Sequence, residues 1–433
     1  MTSSAALIVP FLFRPLACFT ICGLSETTRP STKIGGRVFS VLVPLVLLQY
    51  AAGGAFYPFL GPYLASAKGF DVRDLSLLAL GAAVVNCVMP FVWGALSDRV
   101  IAVNRLICLL HLSAAFSLLL FSRGAGLIML TGLFAFYTAQ QQPTNSLSNA
   151  LCYHNLADPP RQFGSLRLWG SVGWALPSAP IAFWLLDGGE RSLHFIIYLT
   201  FGLHLALVLL YPWLPHTPPA GREEGSGTFR ADLKGLFLAP GFARLLLVTF
   251  LAQAGFAIMF YLSPLALSRS LASSDIRLGW LGPIQTVGVI LEIPLFLLLP
   301  RFLGRFGYRK VLAAGVAASL VRHMVFATST EPWVLALASQ LIAPCVVFFL
   351  IGVSLAINSI AGSEVRATSQ TLLALTGSGL GSVLGLAASS GLSSGDSVKA
   401  AFFFASGCSL VSLLLLPGVR FPGASAGTGG VET

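Results

Sequence analysis

The sequence predicts an all-α membrane protein of twelve transmembrane helices, arranged as two six-helix bundles with both termini in the cytoplasm. Three observations predict it. First, 55% of the 433 residues are hydrophobic and only 10% are charged, with a mean hydropathy of +0.83, whereas a soluble domain carries about 25% charged residues. Second, apolar stretches of about 20 residues, enough to cross a hydrocarbon core of about 30 Å, recur along the chain. Third, the basic residues alternate between rich and poor loops.

The stretches fall at 38–66, 75–97, 103–121, 126–150, 163–185, 193–214, 240–268, 276–300, 308–327, 332–357, 366–391 and 398–417. Backbone groups in lipid must bond one another, so each is expected to be a helix. Starting from a cytoplasmic N-terminus, seventeen basic residues fall on the inside, among them Arg29, Arg99, Arg105, Arg161, Arg167, Arg244, Arg301, Lys310 and Arg420. Seven fall outside: Lys68, Arg73, Arg123, Arg191, Arg269, Arg277 and Lys399. That asymmetry is the positive-inside bias. The net charge of +10 therefore reports topology, and no nucleic-acid partner is expected.

Residues 1–36 contain "ALIVPFLFRPLACFTICGL", an apolar run interrupted by Arg14 and two prolines with no basic segment ahead of it. It is too broken for a full span and fits a secretory signal poorly. A disordered or interfacial extension, an organelle-targeting segment and an upstream start all stay open. Residues 37–214 are read as the first bundle.

The first span brings Gln49, Tyr50 and Tyr57 to bilayer depth, with Gly53 and Gly54 between them. The second ends in "GALSDR". The fourth, "FYTAQQQPTNSLSNALCYH", repeats Tyr137, Gln141, Asn145 and Asn149 at a spacing of four, a polar stripe on one side of a helix. Amides facing lipid are disfavoured, so the stripe is expected to face a cavity or another helix. Pro143 beside it marks a bend. In the fifth span, Gly164, Gly170 and Gly173 leave room for a close neighbour.

Residues 215–238, rich in proline, glycine and charge, read as a cytoplasmic linker. Residues 239–418 are the second bundle, and 419–433 a flexible tail. Gln253 and Tyr261 lie in the seventh span. The eighth carries Gln285 and, two turns further on the same face, Glu292 inside "GVILEIPLFLLLP". A charge at that depth is disfavoured by about 3 kcal/mol even on lenient scales, so it is either paired or used. Arg322 is the basic residue placed inside the ninth span, with His323 next to it. Glu292 lies about 12 Å from the cytoplasmic end of its span and Arg322 about 18 Å from Lys310, so an ion pair between neighbouring helices is expected. Whether it couples protons or is scaffolding stays open. For His323 an inert, hydrogen-bonded ring is preferred to a proton relay. Gly377, Gly381 and Gly385 form a continuous small face in the eleventh span.

Four stretches carry a family resemblance. "GALSDR", with Gly94, Asp98 and Arg99, resembles the loop after the second span of the major facilitator superfamily. "FGSLRLWGSVGW" (163–174), "GVILEIPLF" followed by "GRFGYRKVLAAGVAASLVRHMVFA", and "EVRATSQTLLALTGSGLGSVLG" (364–385) resemble the fifth, eighth, ninth and eleventh spans of its branch around phenylpropionate transporters, nucleoside–proton symporters and lactose permease. The resemblance covers about residues 40 to 417. It departs from the family at Val100, where glycine is usual, and after the eighth span, where the aspartate is missing.

The resemblance implies two bundles that rock around a solute held at the midplane, with Gly94, Asp98 and Arg99 at a cytoplasmic gate. It implies a monomeric secondary transporter in the plasma membrane, an organelle membrane staying open, that moves a small organic solute by proton symport. An uncoupled facilitator and a non-transporting receptor or scaffold are the alternatives. An enzyme is not expected: there is no His-Glu-x-x-His metal motif, and His323 has no nucleophile beside it. Cys18, Cys22, Cys87, Cys108, Cys152, Cys345 and Cys408 are odd in number and scattered, which predicts packing residues and neither metal nor cofactor.

Overall fold

The computed structural model describes residues 32–178, 180–182, 193–219, 236–361, 366–393, 397–419 and 421. Most of the expected N-terminal extension, linker and tail lie outside the described residues.

The chain forms helices α1 (Thr32–Lys68), α2 (Val72–Arg99), α3 (Val103–Arg123), α4 (Leu127–Asn155), α5 (Pro159–Ala175), α6 (Leu193–Leu210), α7 (Phe242–Ser273), α8 (281–306), α9 (308–328), α10 (Pro332–Ile360), α11 (Thr368–Leu392) and α12 (Lys399–Leu415). Among the described residues nine helical segments are long and apolar enough to cross a membrane. One of them, Leu278–Thr328, is 51 residues long and holds two passes. Gly307, at φ 73° and ψ 165°, reverses the chain between α8 and α9, a left-handed conformation that a side chain disfavours. The polar stripe of α4 keeps that helix out of the nine, and α5 is shorter than a full span.

Local chemistry explains the ends and bends. Asp71 caps α2: the Asp74 N–H donates to the Asp71 carboxylate at 2.8 Å, and the Asp71 N–H to Asp74 at 3.5 Å. The helix then breaks at Cys87–Val88, about two and a half turns before Ser97–Asp98–Arg99, because Pro90 opens its second half without an N–H to give. α10 and α11 each widen into a π-helical turn, at Cys345–Ile351 and Leu375–Gly381. Such turns are rare and cluster at functional sites.

α1 is the hub. Its outer half, Ala51 to Leu64, is buried throughout, and Phe56 packs edge-on against Phe121 and Tyr137. Two helices approach α1 and α7 at contact distance because they present glycine. A Cβ on Gly173 would strike the Leu47 carbonyl, and one on Gly385 the Ala254 carbonyl.

Contacts between the two halves sit at the outer ends. Ser76 of α2 and Ser389 of α11 share a buried hydrogen bond of 2.8 Å. Gly61 of α1 packs on Leu265 and the Tyr261 carbonyl of α7, and Gly282 of α8 on the Ser178 carbonyl after α5. Toward the inner end of α2, Val88 and Phe91 are exposed.

Candidate functional site

The hollow has two lobes that share an aromatic wall. The smaller, about 220 Å³, takes residues from α1, α5, α7, α8, α9 and α10. The larger, about 500 Å³, reaches toward the inner ends and adds α2, α4 and α11. Tyr50, Tyr57, Trp174, Phe256 and Phe260 border both lobes.

The wall follows from the α1 sequence. Tyr50 and Tyr57 are seven residues apart, two turns on one face. Gly53 and Gly54 between them admit Trp174, since a Cβ on either would meet its ring or its carbonyl. Trp174 thereby lies parallel to Tyr57, with centroids 6.4 Å apart and planes 3° apart. Tyr57 also tilts against Phe260 at 5.5 Å. Flat aromatic surface of this kind suits a planar ring.

Amides surround the wall. The Tyr57 hydroxyl donates to the Gln141 carbonyl oxygen at 3.1 Å and accepts from the Gln142 amide at 3.1 Å. Gln49 donates to Asn145 at 3.0 Å and to Thr144 at 3.1 Å, and accepts from Ser148. Gln253 of α7 donates to Ser378 in the π turn of α11 at 3.3 Å. Gln141, Asn145, Gln253 and Tyr261 line the larger lobe, and Gln285 and Glu292 the smaller one. Donors and acceptors are both present, as neutral heterocycles and hydroxyls require.

Tyr137 lies elsewhere. Its hydroxyl is 3.2 Å from Nε2 of His204, whose Nδ1 is 3.0 Å from Nδ1 of His111. This chain is buried in the first half, between α3, α4 and α6, and borders neither lobe. A repeat of four residues gains about 40° per step on a helix of 3.6 residues per turn, so the two ends of the α4 stripe face different ways. The sequence reading passed over His111 and His204, although both stand inside apolar spans.

The charges also sort differently from expectation. Among the described residues no ion pair joins Glu292 to Arg322. Glu292 shares the smaller lobe with Arg167 as well as with Arg322. Counted from sequence as a cytoplasmic cation, Arg167 lines the smaller lobe, with its guanidinium 4.2 Å from the centroid of the Tyr50 ring. It stands eight residues into α5, about 12 Å above Pro159 at 1.5 Å per residue, the same depth as Glu292. Arg322 lines the lobe from the other side, 3% exposed, donating to the Ser263 hydroxyl at 3.4 Å. His323 turns away, with Nδ1 3.1 Å from the Ser409 hydroxyl of α12.

At the inner end of α2, Asp98 accepts from the Ser97 hydroxyl at 3.5 Å, and no other residue meets the space beside Gly94. Among the described residues no ion pair holds Asp98 or Arg99. Gly170 faces Tyr50 and Arg167, whereas Gly377 and Gly381 face Gln253 and the Phe250 carbonyl. No group of three histidine, cysteine, aspartate or glutamate side chains suited to a metal occurs among the described residues.

Comparisons with known proteins agree with this geometry. A family profile described as "Nucleoside H+ symporter" matches residues 38–404. Nucleoside permease NupG of Escherichia coli is 26% identical over 364 residues, 79% of this chain and 84% of that one. Xanthosine permease of the same organism is 26% identical over 363 residues, 78% and 84%. Maltose permease of Geobacillus stearothermophilus is 25% identical over 398 residues, 89% and 95%. The crystal structure of nucleoside transporter NupG superposes with a TM-score of 0.74 at 21% identity, covering 88% of this chain and 98% of that one. A peptide transporter POT in complex with sulfate gives 0.69 at 12%, covering 90% and 98%. The fold is that of major facilitator transporters.

Proposed function

We propose that this chain, which belongs to the nucleoside H+ symporter family, carries a nucleoside together with a proton across the plasma membrane by alternating access. The chain is a secondary transporter of a small organic solute and a multi-pass membrane protein, not an enzyme. One observation carries it: the parallel Tyr57–Trp174 pair stands beside Gln141 and Asn145 and across the lobe from a single carboxylate, Glu292. Stacking takes the base, amides take its polar edge or the ribose hydroxyls, and the carboxylate takes the proton.

In this reading residues 37–214 and 239–418 are the two rocking bundles, joined by 215–238, and one copy suffices. Glycine contacts at Gly170, Gly173, Gly377, Gly381 and Gly385 let helices turn without interlocked side chains. Gly94, Asp98 and Arg99 form the inner latch. In this reading the latch parts while the outer contact between Ser76 and Ser389 is made, as a two-state element requires. Glu292, charged when empty, loses its charge on protonation, which removes the penalty of carrying it through the apolar closed state.

Purified protein in liposomes tests the reading. Uridine uptake should accumulate against its gradient when the proton gradient is imposed. Glu292→Gln should abolish that accumulation while exchange of labelled for unlabelled uridine continues. Uptake indifferent to the proton gradient would mark an uncoupled facilitator, and no uptake or binding of any nucleoside would reject the substrate.

A further inference from the structure

We propose that the smaller lobe contains an anion subsite built on Arg322, so that the preferred solute is a nucleoside-sized heterocycle bearing one acidic group. This rests on the chamber being the solute site.

Arg322 is in an unusual position. It lies at membrane depth in α9, 3% exposed, with only a long hydrogen bond of 3.4 Å to the Ser263 hydroxyl. Its Nε proton is buried without any partner. Among the described residues no carboxylate pairs with it. A buried cation at this depth is kept for a purpose, and an unpaired guanidinium face toward a cavity fits an oxyanion, whose two oxygens match its planar fork.

The charge census of the lobe leads to the same ligand. Arg167 and Arg322 bring two positive charges and Glu292 one negative charge. Arg167 is already engaged, over the ring of Tyr50. Arg322 is the charge left over. Once Glu292 is protonated the imbalance grows to two, so the loaded chamber is most in need of an anion at the moment of translocation. A neutral nucleoside supplies none. A monoanion beside Arg322 offsets the charge added by protonation, and moving it with one proton carries no net charge.

Binding of three ligands to the purified transporter tests this: uridine, uridine 5′-carboxylate and uridine 5′-monophosphate. The carboxylate, the phosphate or both should bind at least tenfold more tightly than uridine. The two acidic ligands separate carboxylate from phosphate chemistry. Arg322→Gln should reduce that preference at least tenfold, and Arg322→Lys should retain part of it. In liposomes, uptake of the carboxylate should respond to the pH gradient and not to an imposed membrane potential, whereas uptake of uridine should respond to both. Because the comparison of ligands on the unmodified protein needs no variant, a misfolded Arg322→Gln leaves the test intact. Equal or weaker binding of both anions overturns the subsite while leaving nucleoside transport standing. Binding of none of the three overturns both readings.

Discussion

The Arg167 guanidinium lies over the Tyr50 ring, 4.2 Å from its centroid, and this contact holds a cation from α5 against α1 at the depth of Glu292. Cation–π contacts contribute about 0.5 kcal/mol when exposed and about 2 kcal/mol or more when desolvated. Tyr50→Leu should therefore weaken solute binding by roughly twofold to thirtyfold, at about 1.4 kcal/mol per tenfold. Tyr50→Phe keeps the face and should stay close to the native affinity. Titration calorimetry on both variants decides the matter, and equal losses would show that the ring face is not the contact that counts.

The contact between Ser76 and Ser389 makes a second prediction. With the Ser76 and Ser389 hydroxyls 2.8 Å apart, cysteines at both positions, in a protein whose native cysteines are replaced, should form a disulfide under mild oxidation. Oxidised protein should lose uptake and regain it on reduction, because the alternate state requires α2 and α11 to part. Unimpaired uptake by fully cross-linked protein would place the moving interface elsewhere.

The close helix approaches are sensitive to a single methyl group. Gly173→Ala and Gly385→Ala push a Cβ into the Leu47 and Ala254 carbonyls, and overpacking of this kind destabilises by about 1–3 kcal/mol. Gly164→Ala, where nothing lies within 4 Å, should change stability by less than about 0.5 kcal/mol. Thermal unfolding in detergent should separate the first two variants from the third.

The buried histidine chain offers a fourth test. Tyr137→Phe removes the hydroxyl at 3.2 Å from His204 Nε2 and strands a buried nitrogen, at a cost of about 1–3 kcal/mol. The melting temperature should fall accordingly. Lost solute affinity with no fall in stability would return Tyr137 to the cavity, where the α4 stripe first suggested it.

Much of the cavity lining was legible residue by residue. Tyr57, Gln141, Asn145, Gln253, Tyr261, Gln285, Glu292 and Arg322 all border the hollow, and each stands out as a polar group in an apolar span. Arg167 was misplaced for a simple reason. Near the inner end of a span, an arginine that caps a loop and one that reaches into a cavity look alike, and charge counting assigns both to the cytoplasm. Trp174 was hidden because an aromatic residue in a membrane helix is unremarkable until its neighbours are known.

By itself the sequence determined that this chain spans a membrane as apolar helices and that it carries a carboxylate at depth. Those properties belong to single segments, since lipid forces each segment to satisfy its own backbone and sort its own charges. Only the tertiary structure decided that Arg167 shares one lobe with Glu292 and Arg322, that Tyr137 joins His204, and that Ser76 meets Ser389. Those outcomes depend on how helices distant in sequence rotate and tilt against one another, and a drift of about 40° over four residues is enough to carry a side chain from cavity to core.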